Sequence, residues 1–122
     1  MVGTTTPTPE RTASILIRNR LIRLHEDATI DLEDYVAYMA QTDRDRAFMF
    51  FDAARQTFTA LSKMPGMGRV YESDDEEITD LRKWAVKGFK QYLIFYRYDD
   101  ETLEILRVIH AARDLDPLLR DL

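Results

Sequence analysis

Cysteine is absent from this sequence of 122 residues, and histidine occurs only twice, at His25 and His110. Without cysteine, the chain can form neither a disulfide nor a cysteine-based zinc or thiol site. Two histidines are too few for a histidine-rich metal site. No apolar run approaches the ~20 residues that are needed to span a bilayer. We therefore expect no metal, no cofactor and no contact with a membrane.

An excess of basic charge is also lacking, because 17 Lys and Arg stand against 22 Asp and Glu, which gives a net charge of −5. Non-specific binding to nucleic acid is mainly electrostatic, so this balance argues against a protein that holds RNA or DNA over its whole surface. A local basic patch stays open. The N-terminus lacks a charged region followed by an apolar region, so we expect a cytoplasmic protein rather than a secreted one.

The chain has enough apolar residues for one folded domain, since 45% of it is hydrophobic. Residues 1–14 are rich in Thr and Pro and show no apolar periodicity, which predicts a flexible N-terminal tail. Residues 15–122 are then a single domain, because the length allows one core and not two. Its first element is assigned as a strand with Leu21, Ile22 and Leu24, although a helix competes with that assignment.

Two amphipathic helices are predicted next. In the first, apolar residues recur at i, i+3, i+4 and i+7, at Leu32, Tyr35, Val36 and Met39. Asp43 is the expected N-cap of the second helix. Its apolar residues follow steps of four and three, at Ala47, Phe51, Ala54, Phe58 and Leu61. Pro65 ends this helix, and the short connection between the two helices predicts an antiparallel hairpin.

Three strands follow, in Leu81–Val86, Tyr92–Tyr98 and Leu103–Ile109, and short turns join them into an antiparallel meander. Between the second helix and the first of these strands, the segment ESDDEE is predicted to be a solvated acidic loop. The helix hairpin must cover one face of the sheet, because neither element can bury its apolar side alone. The predicted fold is α+β, with the order β-α-α-β-β-β and a helix hairpin packed on an antiparallel sheet.

Basic side chains lie within and beside these strands, and Arg107 raises the sharpest question. Strict alternation puts it on one face with Leu103, Ile105 and Ile109, so its charge needs a partner or an open cleft. In one interpretation, an acidic neighbour such as Asp114 holds it. In the other, it faces a groove that binds an anion or an acidic partner, together with Arg69, Arg97, His110 and Arg113. For Arg69, which could close the mouth of this groove, an ordinary surface charge is the preferred interpretation. His110 is the natural general acid or base if chemistry occurs there, with Arg107 beside it, yet no catalytic role is assigned.

The aromatic residues of the strands, Trp84 and the series Tyr92, Tyr96 and Tyr98, admit two interpretations. Base stacking on such rings is known in nucleic-acid-binding proteins. Packing against the helices is the preferred interpretation here.

Four segments together resemble the RelE/ParE superfamily of toxins from type II toxin–antitoxin systems. They are Ala28 to Tyr35, the sequence MPGMGR from Met64 to Arg69, GFKQYLIFYR from Gly88 to Arg97, and LRVIHAARD from Leu106 to Asp114. The resemblance covers roughly residues 19–115 and is closest to the ParE-like branch, in which a strand ending in RVxHxxRD is usual. It implies a small α+β toxin that a cognate antitoxin neutralises.

The resemblance implies one of two targets. ParE-like relatives are described as poisons of DNA gyrase, whereas RelE-like relatives cut messenger RNA on the ribosome. RelE-like nucleases often carry a C-terminal Tyr or His, and no Tyr follows Tyr98 here, which favours the ParE-like function. The first alternative is an mRNA endonuclease that uses Lys83, Arg97, Arg107 and His110. The second is an inactive binding module of the same fold. No direct binding to DNA is expected without the antitoxin.

Overall fold

The computed structural model describes residues 19–120 and residue 122. The predicted tail over residues 1–14 lies outside the described residues. The elements in chain order are β1 Leu21–Leu24, α1 Glu26–Ala40, α2 Arg44–Lys63, a 3-10 turn Pro65–Met67, β2 Arg69–Val70, β3 Arg82–Val86, β4 Phe89–Tyr98, β5 Thr102–His110 and α3 Leu115–Leu119. The predicted α+β class and the helix hairpin are confirmed.

The described strands form one sheet in the order β1-β5-β4-β3-β2. Strands β3, β4 and β5 pair antiparallel, which confirms the predicted meander. The sequence did not predict two features of the sheet. The first is that β1 lies parallel to β5, with Leu21 opposite Thr102. The second is the two-residue strand β2, which pairs antiparallel with β3 and extends the other edge.

The helix hairpin packs on one face of this sheet. Asp43 caps α2 as predicted, since its carboxylate accepts a hydrogen bond from the backbone N–H of Arg46 at 3.0 Å. One predicted core position is wrong: Phe51 is 42% exposed, and its neighbour Phe50 is fully buried instead. Phe50 is drawn inward because its ring packs against aromatic rings of α1 and β4, with the Tyr92 centroid 4.8 Å away.

Strand β5 is covered on both faces, as its apolar sequence predicts. Leu103, Ile105 and Val108 belong to the core beneath the helices. Leu106 and Ile109 belong to a second cluster on the opposite face, which α3 covers. Strict alternation was the wrong prediction here, because a bulge opposite the Phe95–Tyr96 step of β4 shifts the register. Beyond such a bulge, residues that strict alternation would place on one face of the sheet lie on the other face.

The turn between α2 and β2 is held against the sheet by a buried tyrosine. The Tyr96 hydroxyl donates a hydrogen bond to the Pro65 carbonyl at 2.5 Å and accepts one from the Gly68 backbone N–H at 3.0 Å. A Cβ at position 68 would lie 2.1 Å from that hydroxyl oxygen and 2.9 Å from the Lys83 carbonyl oxygen. Only glycine permits this approach. The MPGMGR segment is therefore a packing motif as much as a turn.

Candidate functional site

Side chains of α1 complete the edge of β5 where β1 ends. The last backbone contact of this edge runs from the His25 N–H to the Ile105 carbonyl, at 2.9 Å. Further along, Asp31 accepts a hydrogen bond from the Val108 N–H at 2.9 Å, and the Tyr35 hydroxyl accepts one from the His110 N–H at 3.0 Å. Residues four apart on a helix lie on one face, so Asp31 and Tyr35 reach the strand together. They fix α1 on β5.

The Arg107 guanidinium forms a two-pronged ion pair with Asp31. Its Nε and Nη2 atoms donate to the two carboxylate oxygens at 2.8 and 2.9 Å, and Nη1 donates to the Leu118 carbonyl at 3.0 Å. The two side chains are only 15% and 11% exposed. The hydrogen bonds to Asp31 raise the pKa of Arg107, although burial acts in the other direction. A carboxylate does hold Arg107, but the prediction of Asp114 as that partner is wrong.

Both ring nitrogens of His110 make contacts within the fold. Nδ1 accepts a hydrogen bond from the Ala112 N–H at 3.1 Å, and Nε2 lies 3.1 Å from the Gln91 side-chain oxygen. This pattern fits a neutral ring whose Nε2 carries the proton. The ring also packs edge-on against Tyr92, with centroids 5.0 Å apart. With these contacts, His110 stabilises the end of the sheet.

Arg97 and His110 lie far apart on the sheet. Arg97 pairs with Glu104, whereas His110 pairs with Tyr92. The positions of Tyr92 and Arg97 are separated by roughly 16 Å along β4, at about 3.3 Å per residue. The side chains of His110 and Arg97 also lie on opposite faces of the sheet. The His110 ring packs on the face that the helices cover, whereas Arg97 shares the other face with Phe95. The two side chains therefore do not face one groove.

The other predicted basic residues lie elsewhere again. Arg69 is exposed in β2, where it pairs with Lys83, and the Lys83 Nζ lies 5.6 Å from the Tyr71 ring centroid. Arg113 is exposed beyond β5 and lines a cavity of about 790 Å³ together with Asp114. The five predicted site residues therefore do not line one groove. Their roles in binding stay a prediction.

The acidic loop after β2 is anchored to α3. The hydroxyls of Tyr71 and Ser73 donate to the two carboxylate oxygens of Asp116 at 2.6 and 2.8 Å. Burial, and then the hydrogen bond to Asp116, raises the pKa of Tyr71 to about 12. Asp75 accepts from the Arg120 Nε atom at 2.7 Å. Within residues 19–120 and 122, no group of three or more His, Asp or Glu side chains can hold a metal ion.

An apolar groove lies on the outer side of the helix hairpin, a place that was not located from the sequence. It consists of two cavities of about 460 and 500 Å³ that both border Phe51. Phe48, which is 75% exposed, lines the first cavity, and Ile22 and Leu24 of β1 line the second. The signal was present in α2, where Phe48, Phe51 and Arg55 follow i, i+3, i+7 spacing beside the buried stripe.

Arginines flank this groove. Arg44 lines the first cavity and Arg55 the second, and the Arg55 guanidinium lies 6.0 Å from the Phe51 ring centroid. Exposed aromatic rings with neighbouring arginines are the side chains most enriched at protein–protein contacts. The groove is therefore suited to a helical protein segment. Among the described residues, no helix is long and apolar enough to cross a membrane.

Comparisons with known proteins agree with this fold. The chromosomal ParDE toxin–antitoxin system from P. aeruginosa includes a chain that superposes with a TM-score of 0.61 at 13% sequence identity. The superposition covers 75% of the present chain and 95% of that chain. At this identity, the likeness shows the fold alone. None of the curated proteins matches the sequence.

A family model gives a more specific result. Residues 22–115 match the model described as the ParE toxin of the type II toxin–antitoxin system parDE. The matched range begins in β1 and ends at the start of α3, so it includes the helix hairpin, the meander and the Arg107 ion pair. Because this match extends over most of the chain, the protein belongs to the family of ParE toxins of type II toxin–antitoxin systems.

Proposed function

We propose that this toxin inhibits growth in the cytoplasm by poisoning DNA gyrase, through binding and not through catalysis. The observation that carries the proposal is the position of Arg107 and His110. RNA cleavage by 2′-hydroxyl attack needs proton transfer at both ends and cations around the reacting phosphate. In this fold, Arg107 is paired with Asp31, and both His110 nitrogens have partners within the chain. These contacts favour a structural role for both residues.

The apolar groove supports a second part of the proposal, that a cognate antitoxin neutralises the toxin by laying an amphipathic helix along Phe48 and Phe51. Antitoxin segments of this kind fold when they bind, and apolar anchors at helical spacing supply their affinity. Arg44 and Arg55 would then pair with acidic residues at the edge of the helix. Such pairs add specificity and speed association more than they add affinity.

The target is tested by inducible expression of the toxin, alone and with the adjacent partner gene, while DNA damage and translated messages are followed. Arrest with induced DNA damage and continuing translation is the expected result. Arrest with rapid loss of translated messages would instead favour the mRNA endonuclease, and the first variants to make would be Arg107→Ala and His110→Ala. Growth that is unaffected by the toxin alone would favour an inactive binding module.

The antitoxin site is tested with a matched pair of variants in α2. Phe48→Glu places a charge in the groove, whereas Met49→Glu places the same charge on a neighbouring residue that is 64% exposed and does not line either cavity. Neither change disturbs the core. With the antitoxin co-expressed, cells that carry Phe48→Glu should stop growing, and cells that carry Met49→Glu should not. Equal neutralisation of both variants would place the antitoxin elsewhere.

A further inference from the structure

Away from the apolar groove, two arginines lie over one exposed tyrosine at the end of β4, and a third lines the cavity beside it. The Tyr98 ring is 38% exposed. The guanidinium carbons of Arg20 and Arg82 lie 5.4 and 5.7 Å from its centroid. Arg97, the next residue back along β4, borders the same cavity of about 400 Å³ as Arg82 and Tyr98. In a chain of net charge −5, three arginines lie together here, beside the carboxylates of Asp80, Asp99 and Glu104 that line the same two cavities.

The three guanidiniums are fixed by backbone carbonyls. Arg20 Nε donates to the Asp99 carbonyl at 2.6 Å, Arg82 Nη1 to the Gly68 carbonyl at 2.7 Å, and Arg97 Nη2 to the Thr79 carbonyl at 3.0 Å. In the part of the chain that the structure describes, the ion pairs within 4.0 Å join Arg107 to Asp31 and Arg120 to Asp75. The three arginines near Tyr98 are therefore held by carbonyls and not by ion pairs within 4.0 Å, although the pKa of Asp99 is lowered by hydrogen bonds from backbone N–H groups and also by the charge of Arg20.

The cavity also contains acceptors and strained backbone. Asp80 lines it and adopts a φ of 55°, a conformation that is uncommon for a residue other than glycine. Such conformations often occur at binding sites, where the surrounding structure enforces them. A second cavity of about 200 Å³ adjoins the first along Arg97 and Tyr98 and is lined by Thr102 and Glu104. Together the two cavities offer cations, a flat aromatic surface and acceptor oxygens.

We propose that these two adjoining cavities, the Tyr98 cavity, bind a nucleoside phosphate. Guanidiniums bind phosphate oxygens through paired hydrogen bonds, and the carbonyl contacts of Arg82 and Arg97 leave other N–H groups for that purpose. Bases stack on aromatic rings and on the planes of arginine guanidiniums, and Tyr98 with Arg20 and Arg82 over its ring offers both kinds of surface. Carboxylates such as Asp80 accept hydrogen bonds from the amino groups of bases. Binding of a nucleotide uses both the guanidinium charges and the Tyr98 ring, whereas binding of a simple anion uses the charges alone.

The proposal does not depend on the target of the toxin. This place lies at the opposite end of β4 from the residue that pairs with His110, and none of its lining residues belongs to the apolar groove. The same chemistry would recognise a free nucleotide or one nucleotide of a single strand. These sources are distinguished by comparing four ligands: free GMP, free AMP, a single-stranded RNA of about ten nucleotides, and inorganic phosphate.

Binding is measured on the purified full-length chain by calorimetry and by the backbone amide resonances of residues 79–82 and 97–99. We expect saturable binding of the nucleotides and shifts confined to these residues. Arg97→Gln and Tyr98→Leu should each weaken binding by about tenfold, since each removes one charged or stacking contact. Arg82→Gln serves as a third variant if its denaturation midpoint matches that of the parent. Lys90→Gln, which removes the same charge at an exposed position on the same strand, should bind as the parent does.

Tighter binding of the RNA than of GMP or AMP would assign the place to a nucleic acid strand, and equal binding would assign it to a free nucleotide. Either result supports the proposal. It is overturned if no nucleotide binds saturably, if inorganic phosphate binds as tightly as the nucleotides, or if Lys90→Gln weakens binding as much as Arg97→Gln does.

Discussion

Replacing Asp31 by alanine tests whether the Arg107 ion pair stabilises the fold. The change removes the acceptor of two guanidinium hydrogen bonds and of the Val108 N–H, at 2.8, 2.9 and 2.9 Å. Removing one partner of a buried ion pair costs about 3–5 kcal/mol, because the other charge stays buried without compensation. Since these side chains are 11% and 15% exposed, some water reaches them, and we expect the lower end, about 3 kcal/mol.

The assay is urea denaturation at pH 7, with thermal unfolding as a second readout. A domain of this size loses roughly 4 °C of Tm per kcal/mol, so Asp31→Ala should lower Tm by about 12 °C. Asp34→Ala is the matched control, because Asp34 is an exposed acid on the same helix. The m-value should not change if the unfolded state is unaffected.

Arg107→Met separates the ion pair from the edge contact of Asp31. In this variant, the Asp31 carboxylate still accepts from Val108, so the loss should be smaller than for Asp31→Ala. The double variant should lose less than the sum of the two, by about 0.5–3 kcal/mol. If Asp31→Ala cost less than about 1 kcal/mol, or no more than Asp34→Ala, the guanidinium would be free to move and its assignment to the scaffold would be refuted.

Three further predictions concern other contacts of the fold. Gly68→Ala should destabilise the protein by about 1–3 kcal/mol in urea denaturation, because the new Cβ meets the buried Tyr96 hydroxyl, and an unchanged midpoint would refute the required close approach. The pKa of Tyr71 is raised to about 12, so its contribution is complete below pH 10 and is lost as the pH rises towards 12. Tyr71→Phe should abolish that part of the pH dependence, measured between pH 9 and pH 12, and an unaltered alkaline curve would contradict the hydrogen bond to Asp116. Hydrogen bonds from the following backbone N–H groups lower the pKa of Asp99 below 3.8, so its contribution is present above that pH and is lost as the pH falls through the lowered value. Asp99→Asn should therefore flatten the stability curve below pH 4, and a curve as steep as that of the parent would exclude this turn as its cause.

The sequence predicted the elements well because their signals are local. Apolar spacing locates both helices, and the cap at Asp43 depends on residues that are neighbours in the chain. The strand β1 was assigned correctly, but its parallel pairing with β5 joins residues that are about 80 positions apart. No local pattern encodes such a pairing, or the bulge that shifts the faces of β5.

Aromatic residues show the same division between local and distant causes. Tyr96 is fully buried and packs as predicted, whereas Trp84 and Tyr98 are 37% and 38% exposed, so the preference for packing holds for part of the series only. All three lie on strands with apolar neighbours. Their different exposure depends on what packs over each position of the sheet, which the strand sequences do not contain.

The prediction of one common groove was wrong because Arg107 was interpreted only from its neighbours on the same strand. Arg107 lies among aliphatic residues in the sequence, and its partner Asp31 is 76 positions away on a helix. The acid was visible in the sequence, at a spacing of four from Tyr35, but its reach across to β5 is a property of the folded pair. Arg97 and His110, by contrast, were separated by the length of a strand that was itself predicted.

The motifs that revealed the family are contacts of its scaffold. Asp31 holds Arg107, Tyr35 receives the His110 N–H, and Gly68 receives Tyr96. Each joins the helix hairpin or its following turn to the sheet, so each constrains the fold whichever molecule the toxin meets. The exposed side chains of Phe48, Phe51 and Tyr98 lie outside these contacts. We therefore expect recognition of partner and target to depend on residues between the motifs, and experiments on specificity should begin with Phe48, Phe51 and Tyr98.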